Sequence, residues 1–331
     1  MRKKKKIKKV VLSVIILGAL VLGGALSYTF YQLSKIKTVK ISGSNEDLGI
    51  SSTVSSTKDS TNGITNIALF GVDRRNKDEP GRSDSIMVLS IDTKNKKIKM
   101  SSIMRDTYAG IKGHGQTKIT HAYAYGGPQL AIRTINENFN LDIRNYVTVD
   151  FFDLEKIVDS IRGVTVDVDQ NEISLMNGYI DETAKIEDKA VTHVTSSGPQ
   201  TLNGLQAVAY ARVRYTAGGD FKRTERQRTV LTAMLTKIQS LGATKFPSVV
   251  SKLIPLTETS ISNVDILKLG TKVITSKSTT LVQERFPVDG YCWGKTIDGV
   301  WYLVTDMKTS INQIHDFIYE DIKPIPTTPQ I

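Results

Sequence analysis

The chain has 331 residues, 40% of them hydrophobic and 23% charged, enough for one large domain with a sizeable core and too apolar for wholesale disorder. Its net charge of +11 is concentrated at one end. Arg2, Lys3, Lys4, Lys5, Lys6, Lys8 and Lys9 carry seven positive charges with no acid among them, so the remainder holds only +4 and lacks the basic stripe of a nucleic-acid-binding protein. The single cysteine, Cys292, excludes an intrachain disulfide and a thiolate zinc cluster.

Residues 1–9 read as a basic cytoplasmic tail. Residues 10–34 contain no charge and are dominated at first by Val, Leu, Ile, Ala and Gly. A helix of that length reaches about 37 Å, enough to span a hydrocarbon core of about 30 Å. Tyr28 and Tyr31 fall at an interfacial aromatic belt, Lys35 and Lys37 close the segment, and the basic tail keeps its own side in the cytoplasm. The alternative is a cleaved signal peptide ending near Ala25-Leu26-Ser27, but the apolar run exceeds the usual length of such a core. Either reading exports the remainder of the chain. The expected location is the cell membrane, single-pass, with the N-terminus cytoplasmic and the C-terminal domain extracellular.

Residues 35–63, rich in Ser, Thr, Asn and Gly, read as a flexible extracellular linker with a reach of roughly 30 Å. The pattern changes at Ile64. Ile67–Phe70 reads as a buried strand, Ile86–Ile91 as a second, and Ile98–Met104 as a third after the polar turn Asp92–Lys97. Pro128 opens a helix to Asn138. Leu154, Ile157, Val158 and Ile161 mark an amphipathic helix, and Val164, Val166 and Val168 alternate as a strand. Helices follow near Leu205–Val213, Lys222–Leu241, Asn263–Ser276 and Asp306–Tyr319, with strands at Leu281–Arg285 and Val300–Val304 before the last. Interleaved elements without a repeat predict an α/β fold: a single sandwich domain over 64–322, its central mixed β-sheet flanked by helices and preceded by one transmembrane helix, with 323–331 as a C-terminal tail.

Asp73 lies just past the first strand and Asp84 begins the second. If these strands are antiparallel neighbours, both carboxylates lie at one sheet end, and the third strand returns there with Arg105 and Asp106. Two close carboxylates repel unless a cation intervenes. A hard ion such as Mg²⁺, or Mn²⁺ in its place, resolves that conflict; loop ion pairs with Arg74, Arg75 and Arg82 resolve it equally.

Arg212 extends the apolar stripe of Leu205, Val208 and Ala209 at positions i, i+3, i+4 and i+7, and an inward arginine requires an anionic partner. Arg214 follows. In the next helix Asp220 reads as an N-cap, with Lys222 and Arg223 in the first turn against the helix dipole. Arg223, Gln227, Leu231, Met234 and Ile238 share a face with Arg226 beside it, while Thr224, Glu225 and Arg228 look outward. A helix N-terminus ringed by Arg212, Arg214, Arg223 and Arg226 suits a phosphate group; a solvated basic face is the plainer alternative. No nucleophile elbow, phosphate-binding P-loop, zinc-protease motif or dithiol motif occurs. Phosphoryl transfer, which asks little covalent work of the protein, stays open.

Six ordered motifs then resemble the LytR–CpsA–Psr family: Gly71-Val72-Asp73-Arg74-Arg75, Arg82-Ser83-Asp84-Ser85, Met104-Arg105-Asp106-Thr107-Tyr108, Lys118-Ile119-Thr120-His121-Ala122, the stretch Ala207–Arg214 and the stretch Asp220–Gln227. The resemblance implies a Mg²⁺-dependent phosphotransferase moving a glycopolymer, such as teichoic acid or capsule, from a polyprenyl-diphosphate carrier (the donor) to peptidoglycan (the acceptor). It implies Asp73 and Asp84 as metal ligands. Arg82, Arg105, Arg212, Arg214 and Arg223 match the diphosphate-binding arginines, to which the helix pattern adds Arg226. Arg105, Asp220, Arg223 and Gln227 are the candidate catalytic residues, and lipid tails are expected in an apolar pocket between sheet and helices. Met104 replaces the usual proline, and Arg162 stands where a Gly-Gly-Val run is usual. A non-catalytic lipid-diphosphate scaffold and an envelope-related transcriptional attenuator are the alternatives, the latter disfavoured by the outward topology.

Overall fold

The computed structural model describes residues 38–56, 63–74, 81–275 and 280–327. The expected span at 10–34 lies outside the described residues, and no helix among those described is long and apolar enough to cross a membrane.

Three strands, β1 (Ile64–Asp73), β2 (Arg82–Asp92) and β3 (Lys97–Ile103), form an antiparallel meander. Its hairpin turns where the Asp92 carboxylate accepts the backbone N–H groups of Lys94 and Asn95 at 3.0 and 2.8 Å, as an Asx-type turn should. β6 (Asn145–Asp150) adds parallel to β1, and β9 (Glu258–Thr259) pairs antiparallel to β6. β10 (Thr280–Phe286) adds parallel to β3. The six-stranded mixed sheet runs β10-β3-β2-β1-β6-β9. Alternation along β1 divides its layers: Ala68, Phe70 and Val72 join one core, and Ile67 and Leu69 another.

The first core is covered by α2 (His121–Phe139) and α9 (Met307–His315), through Ile132, Ile135, Phe139 and Ile314. α2 breaks at Gly126 and Gly127 and resumes at Pro128, so the predicted helix is its second half. On the opposite face lie α3 (Phe151–Ser160), capped by Asp150, and α5 (Gly204–Arg212), capped by Asn203. With them pack α4 (Gln170–Glu187), α6 (Gly219–Ser240) and α7 (Phe246–Leu253); α8 (Asn263–Thr275) continues that layer. Three two-stranded ribbons complete the fold: β4 (Tyr108–Ile111) with β5 (Gly115–Lys118), β7 (Val164–Val168) with β8 (Gly198–Leu202), and β11 (Cys292–Ile297) with β12 (Val300–Thr305).

The linker expected at 35–63 is not free over 38–56. Leu48 is fully buried in the first core and Ile50 nearly so. The Asn136 amide donates to the Leu48 carbonyl at 2.8 Å, and Val39 N–H donates to the Thr259 carbonyl at 3.0 Å. Two well-placed apolar residues and a buried asparagine order a segment that has no apolar period. α1 (Ser52–Ser56) ends it.

Candidate active site

The expected convergence of strand ends occurs, through a feature that alternation alone does not reveal. Gly71 pairs with Ser85 but Val72 pairs with Ser83, so Asp84 is the extra residue of a β-bulge. A bulge re-aims its side chain, and Asp84 becomes the hub of the arginines. Its Oδ1 accepts from Arg105 Nη1 at 2.7 Å. Its Oδ2 lies 3.4 Å from Arg214 Nη2 and 3.9 Å from Arg223 Nη1, and Arg223 Nη2 also donates to the Asp84 carbonyl at 3.3 Å.

Asp220 is the second hub. It is not the N-cap: Gly218, with φ 91°, holds that position and Asp220 sits within the first turn of α6, where an acid is favoured by the helix dipole. Its carboxylate is 2.9 Å from Arg223 Nη2 and 3.6 Å from Arg105 Nε. Asp106 adds a third acid, 3.6 Å from Arg105 Nε and 2.7 Å from Lys118 Nζ. Burial alone would lower the Arg105 pKa, but Asp84, Asp220 and Asp106 together hold it above its ordinary value. Arg223 is 3% exposed. Its burial, reinforced by Arg105 and Arg214 against the pull of Asp220 and Asp84, lowers its pKa to about 10, and it remains cationic at neutral pH. The Nε atoms of Arg74, Arg105 and Arg223 are buried without a hydrogen-bond partner. Such groups are costly unless another acceptor meets them.

Asp73 is exposed at the end of β1, opposite Arg82 in the ladder. Arg82 and Lys118 lie close enough to His121 to act with burial, the larger influence, in lowering its pKa. The His121 Nδ1 shares a 3.0 Å hydrogen bond with the Thr117 hydroxyl.

Two expected members of the arginine ring are placed elsewhere. Arg226, 4% exposed, is committed to Glu172 at 2.6 Å, the Val213 carbonyl at 3.0 Å and the Thr216 hydroxyl at 2.7 Å. Its donors tie α6 to α4. Arg212 donates to the Thr183 hydroxyl at 2.9 Å and Glu182 at 3.2 Å, and its guanidinium lies over Tyr179 and Phe151. It reaches the rim of the site through Phe151 and has no ion pair with Asp84. Thr224, expected outward, is buried with its hydroxyl 3.7 Å from Met104 Sδ.

Behind the arginines opens a cavity of about 250 Å³. Leu69, Met87, Val147 and Val149 form its sheet wall, and Leu154, Val230, Leu231 and Met234 its helical wall. Its polar end is made by Ser85, Asp150 and Gln227. Ser85 follows Asp84 directly, and Gln227 stands one helical turn beyond Arg223. Gln227 thus lies at the junction of apolar and charged compartments. Sequence reasoning missed Lys118 as a charged member of the site and Arg74, whose Nε lies 3.6 Å from Asp150 at that polar end. Both occur inside motifs already singled out.

The profile of the LytR_cpsA_psr family matches residues 28–316. A relative from Bacillus cereus, named polyisoprenyl-teichoic acid–peptidoglycan teichoic acid transferase TagU, is 31% identical over 314 residues, covering 90% of this chain and 92% of the relative. A protein of the same name from Oceanobacillus iheyensis is 33% identical over 261 residues, covering 76% and 74% respectively. Among solved structures, the LytR-CPS2A-psr family protein YwtF (TagT) with bound octaprenyl pyrophosphate lipid matches with a TM-score of 0.59 and 28% identity, over 80% of this chain and 92% of that one.

Proposed function

The chain belongs to the LytR–CpsA–Psr family, and from that premise we propose that it transfers a glycopolymer from a polyprenyl-diphosphate carrier to peptidoglycan. The observation that carries this reading is one junction: an apolar cavity whose polar end, at Ser85 and Gln227, abuts the Asp84–Arg105–Arg214–Arg223 cluster. A lipid tail takes the apolar walls and its diphosphate meets the arginines.

In the reaction, a peptidoglycan hydroxyl oxygen forms a bond to the phosphorus that carries the glycan. The bond from that phosphorus to the bridging oxygen breaks, and polyprenyl phosphate leaves with both bonding electrons. The hydroxyl proton passes to solvent or to a carboxylate. Arg105, Arg214 and Arg223 hold the phosphate oxygens and neutralise charge that builds on the leaving phosphate. Asp220 orients Arg105 and Arg223 rather than touching the reacting atoms.

Asp73 and Asp84 are the residues to hold Mg²⁺, or Mn²⁺ in its place. The charges favour it: Arg82, Arg105, Lys118, Arg214 and Arg223 exceed Asp73, Asp84, Asp106 and Asp220 by one unit, too little for a doubly charged diphosphate. Among the described residues no three His, Cys, Asp or Glu side chains gather as a metal cage. Two carboxylates completed by phosphate oxygens and water suit this ion, which supplies charge neutralisation at the diphosphate when bound. Asp84 would take that role in exchange for its contacts to Arg105 and Arg214. We place the domain outside the cytoplasmic membrane, tethered by residues 10–34, on the strength of their apolar length and the basic tail before them.

The test uses the full chain in detergent with lipid-linked glycan, peptidoglycan and Mg²⁺. Glycan is expected on peptidoglycan, together with free polyprenyl phosphate. Binding without release would instead mark a scaffold. Full transfer by Asp73→Ala would remove the metal role.

A further inference from the structure

The ribbon β11–β12 carries none of the chemistry assigned above, yet it brings an exposed tryptophan to the edge of the site. Leu303 N–H donates to the Asp106 carbonyl at 2.9 Å, and Leu303 bridges Thr107. Tyr302 packs edge-on against Tyr108 with ring centroids 4.8 Å apart. The ribbon is thereby fixed to the segment that carries Arg105.

Trp301 is 49% exposed. Exposed aromatic residues are ordinary when scattered, but this one is held by a neighbouring glycine and a lysine. The indole lies against Gly294: a Cβ there would come within 2.7 Å of Trp301 Nε1 and 3.1 Å of Cε2 and Cζ2. Only glycine lets the ring settle so close to the neighbouring strand. Lys118 Nζ stands over the ring, 5.9 Å from its centroid, and the same nitrogen is 2.7 Å from Asp106 Oδ1. Asp106 in turn lies 3.6 Å from Arg105 Nε. This series of neighbours joins a half-exposed indole to Arg105.

We propose that the half-exposed Trp301, with Lys118 beside it, is the stacking platform for a sugar ring of the acceptor glycan strand. The inference rests on the transferase reading and extends it to the second substrate. The weakly positive C–H face of a pyranose complements the negative face of an indole, while its hydroxyls find a donor in Lys118. The ring lies outside the lipid cavity, which leaves a sugar rather than the polyprenyl tail as its occupant, and separate acceptor and donor KM values distinguish the acceptor strand from the donor's own glycan. In-line displacement requires the incoming hydroxyl opposite the leaving polyprenyl phosphate. The lipid cavity is lined from the sheet and α3, α5, α6 and α7, with no contribution from residues 105–118 or from the ribbon.

The chain has two tryptophans, Trp293 and Trp301, both in this ribbon, so its indole fluorescence reports on the proposed platform. In a Trp293→Phe background of the full chain, soluble peptide-free peptidoglycan oligosaccharides are expected to shift the Trp301 emission saturably. Gly294→Ala should weaken that binding about tenfold by displacing the ring. In transfer assays Trp301→Ala should raise the acceptor KM about tenfold, with donor KM moving less than about twofold and Trp301→Phe restoring most of the loss. A flat titration, or an unchanged acceptor KM in a Trp301→Ala protein that melts like wild type, overturns the platform. If no acceptor supports transfer, the transferase reading fails and the titration alone decides for or against the platform.

Discussion

Replacing Asp84 by Asn leaves its shape and removes the counter-charge shared by three arginines. Breaking a buried ion pair costs about 3–5 kcal/mol when the surviving charge has no other partner. Here each arginine keeps some compensation. Arg223 retains Asp220 at 2.9 Å, Arg105 retains Asp106 and Asp220 at 3.6 Å, and Arg214, its side chain 36% exposed, is screened by water. The expected loss is therefore about 2 kcal/mol, a fall of roughly 4–8 °C in Tm for a domain of this size. A second consequence has the opposite sign. Without Asp84 the guanidiniums lack part of their internal counter-ion, so inorganic pyrophosphate in metal-free buffer should raise the Tm of Asp84→Asn more than that of wild type. Transfer activity should meanwhile fall at least about a hundredfold. Thermal unfolding of both full chains with and without pyrophosphate measures these effects. An unchanged Tm with equal pyrophosphate shifts in the two proteins would show that Asp84 is not the hub.

Leu154→Trp, which places an indole in the cavity, should abolish binding of polyprenyl diphosphate while leaving affinity for inorganic pyrophosphate intact; calorimetry with the two ligands separates the cases. Arg226→Ala leaves the buried Glu172 with the Asp169 N–H but no counter-charge and should cost about 3 kcal/mol, whereas Arg214→Ala should leave Tm within about 1 °C and remove transfer; melting curves and transfer assays together check the division. His121 has a lowered folded pKa because of burial, Arg82 and Lys118. The unfolded chain therefore takes up its proton first, and stability is lost as pH falls through about 6.5 toward the folded value. Unfolding of His121→Gln followed over roughly pH 5–8, a range that brackets an ordinary histidine, should show a shallower acid-side loss than wild type.

The meander and the meeting of Asp84 with Arg105 are legible in the sequence because apolar runs separated by a polar turn dictate antiparallel neighbours. The bulge is not: it depends on a one-residue register shift that alternation does not encode. The arginines show the same division. Arg223 lies where its helix face places it. Arg226, beside it, goes to Glu172 because α4, a largely polar helix at Gln170–Glu187 with little apolar period to announce it, supplies the nearer carboxylate. Arg212 is drawn to Glu182 of that same helix. An inward arginine shows that an anion is required; which anion answers depends on tertiary packing. Lys118 and Trp301 are invisible as partners for the same reason, since 183 positions of sequence separate residues in contact through one ring.

The most direct measurement is a crystal structure of the full chain with its polyprenyl diphosphate. Both phosphates are expected within hydrogen-bond distance of Arg105, Arg214 and Arg223, with the first isoprene units between Met87, Val149 and Val230. A diphosphate held instead at Arg212 or Arg226, with the tail outside that cavity, would contradict the account.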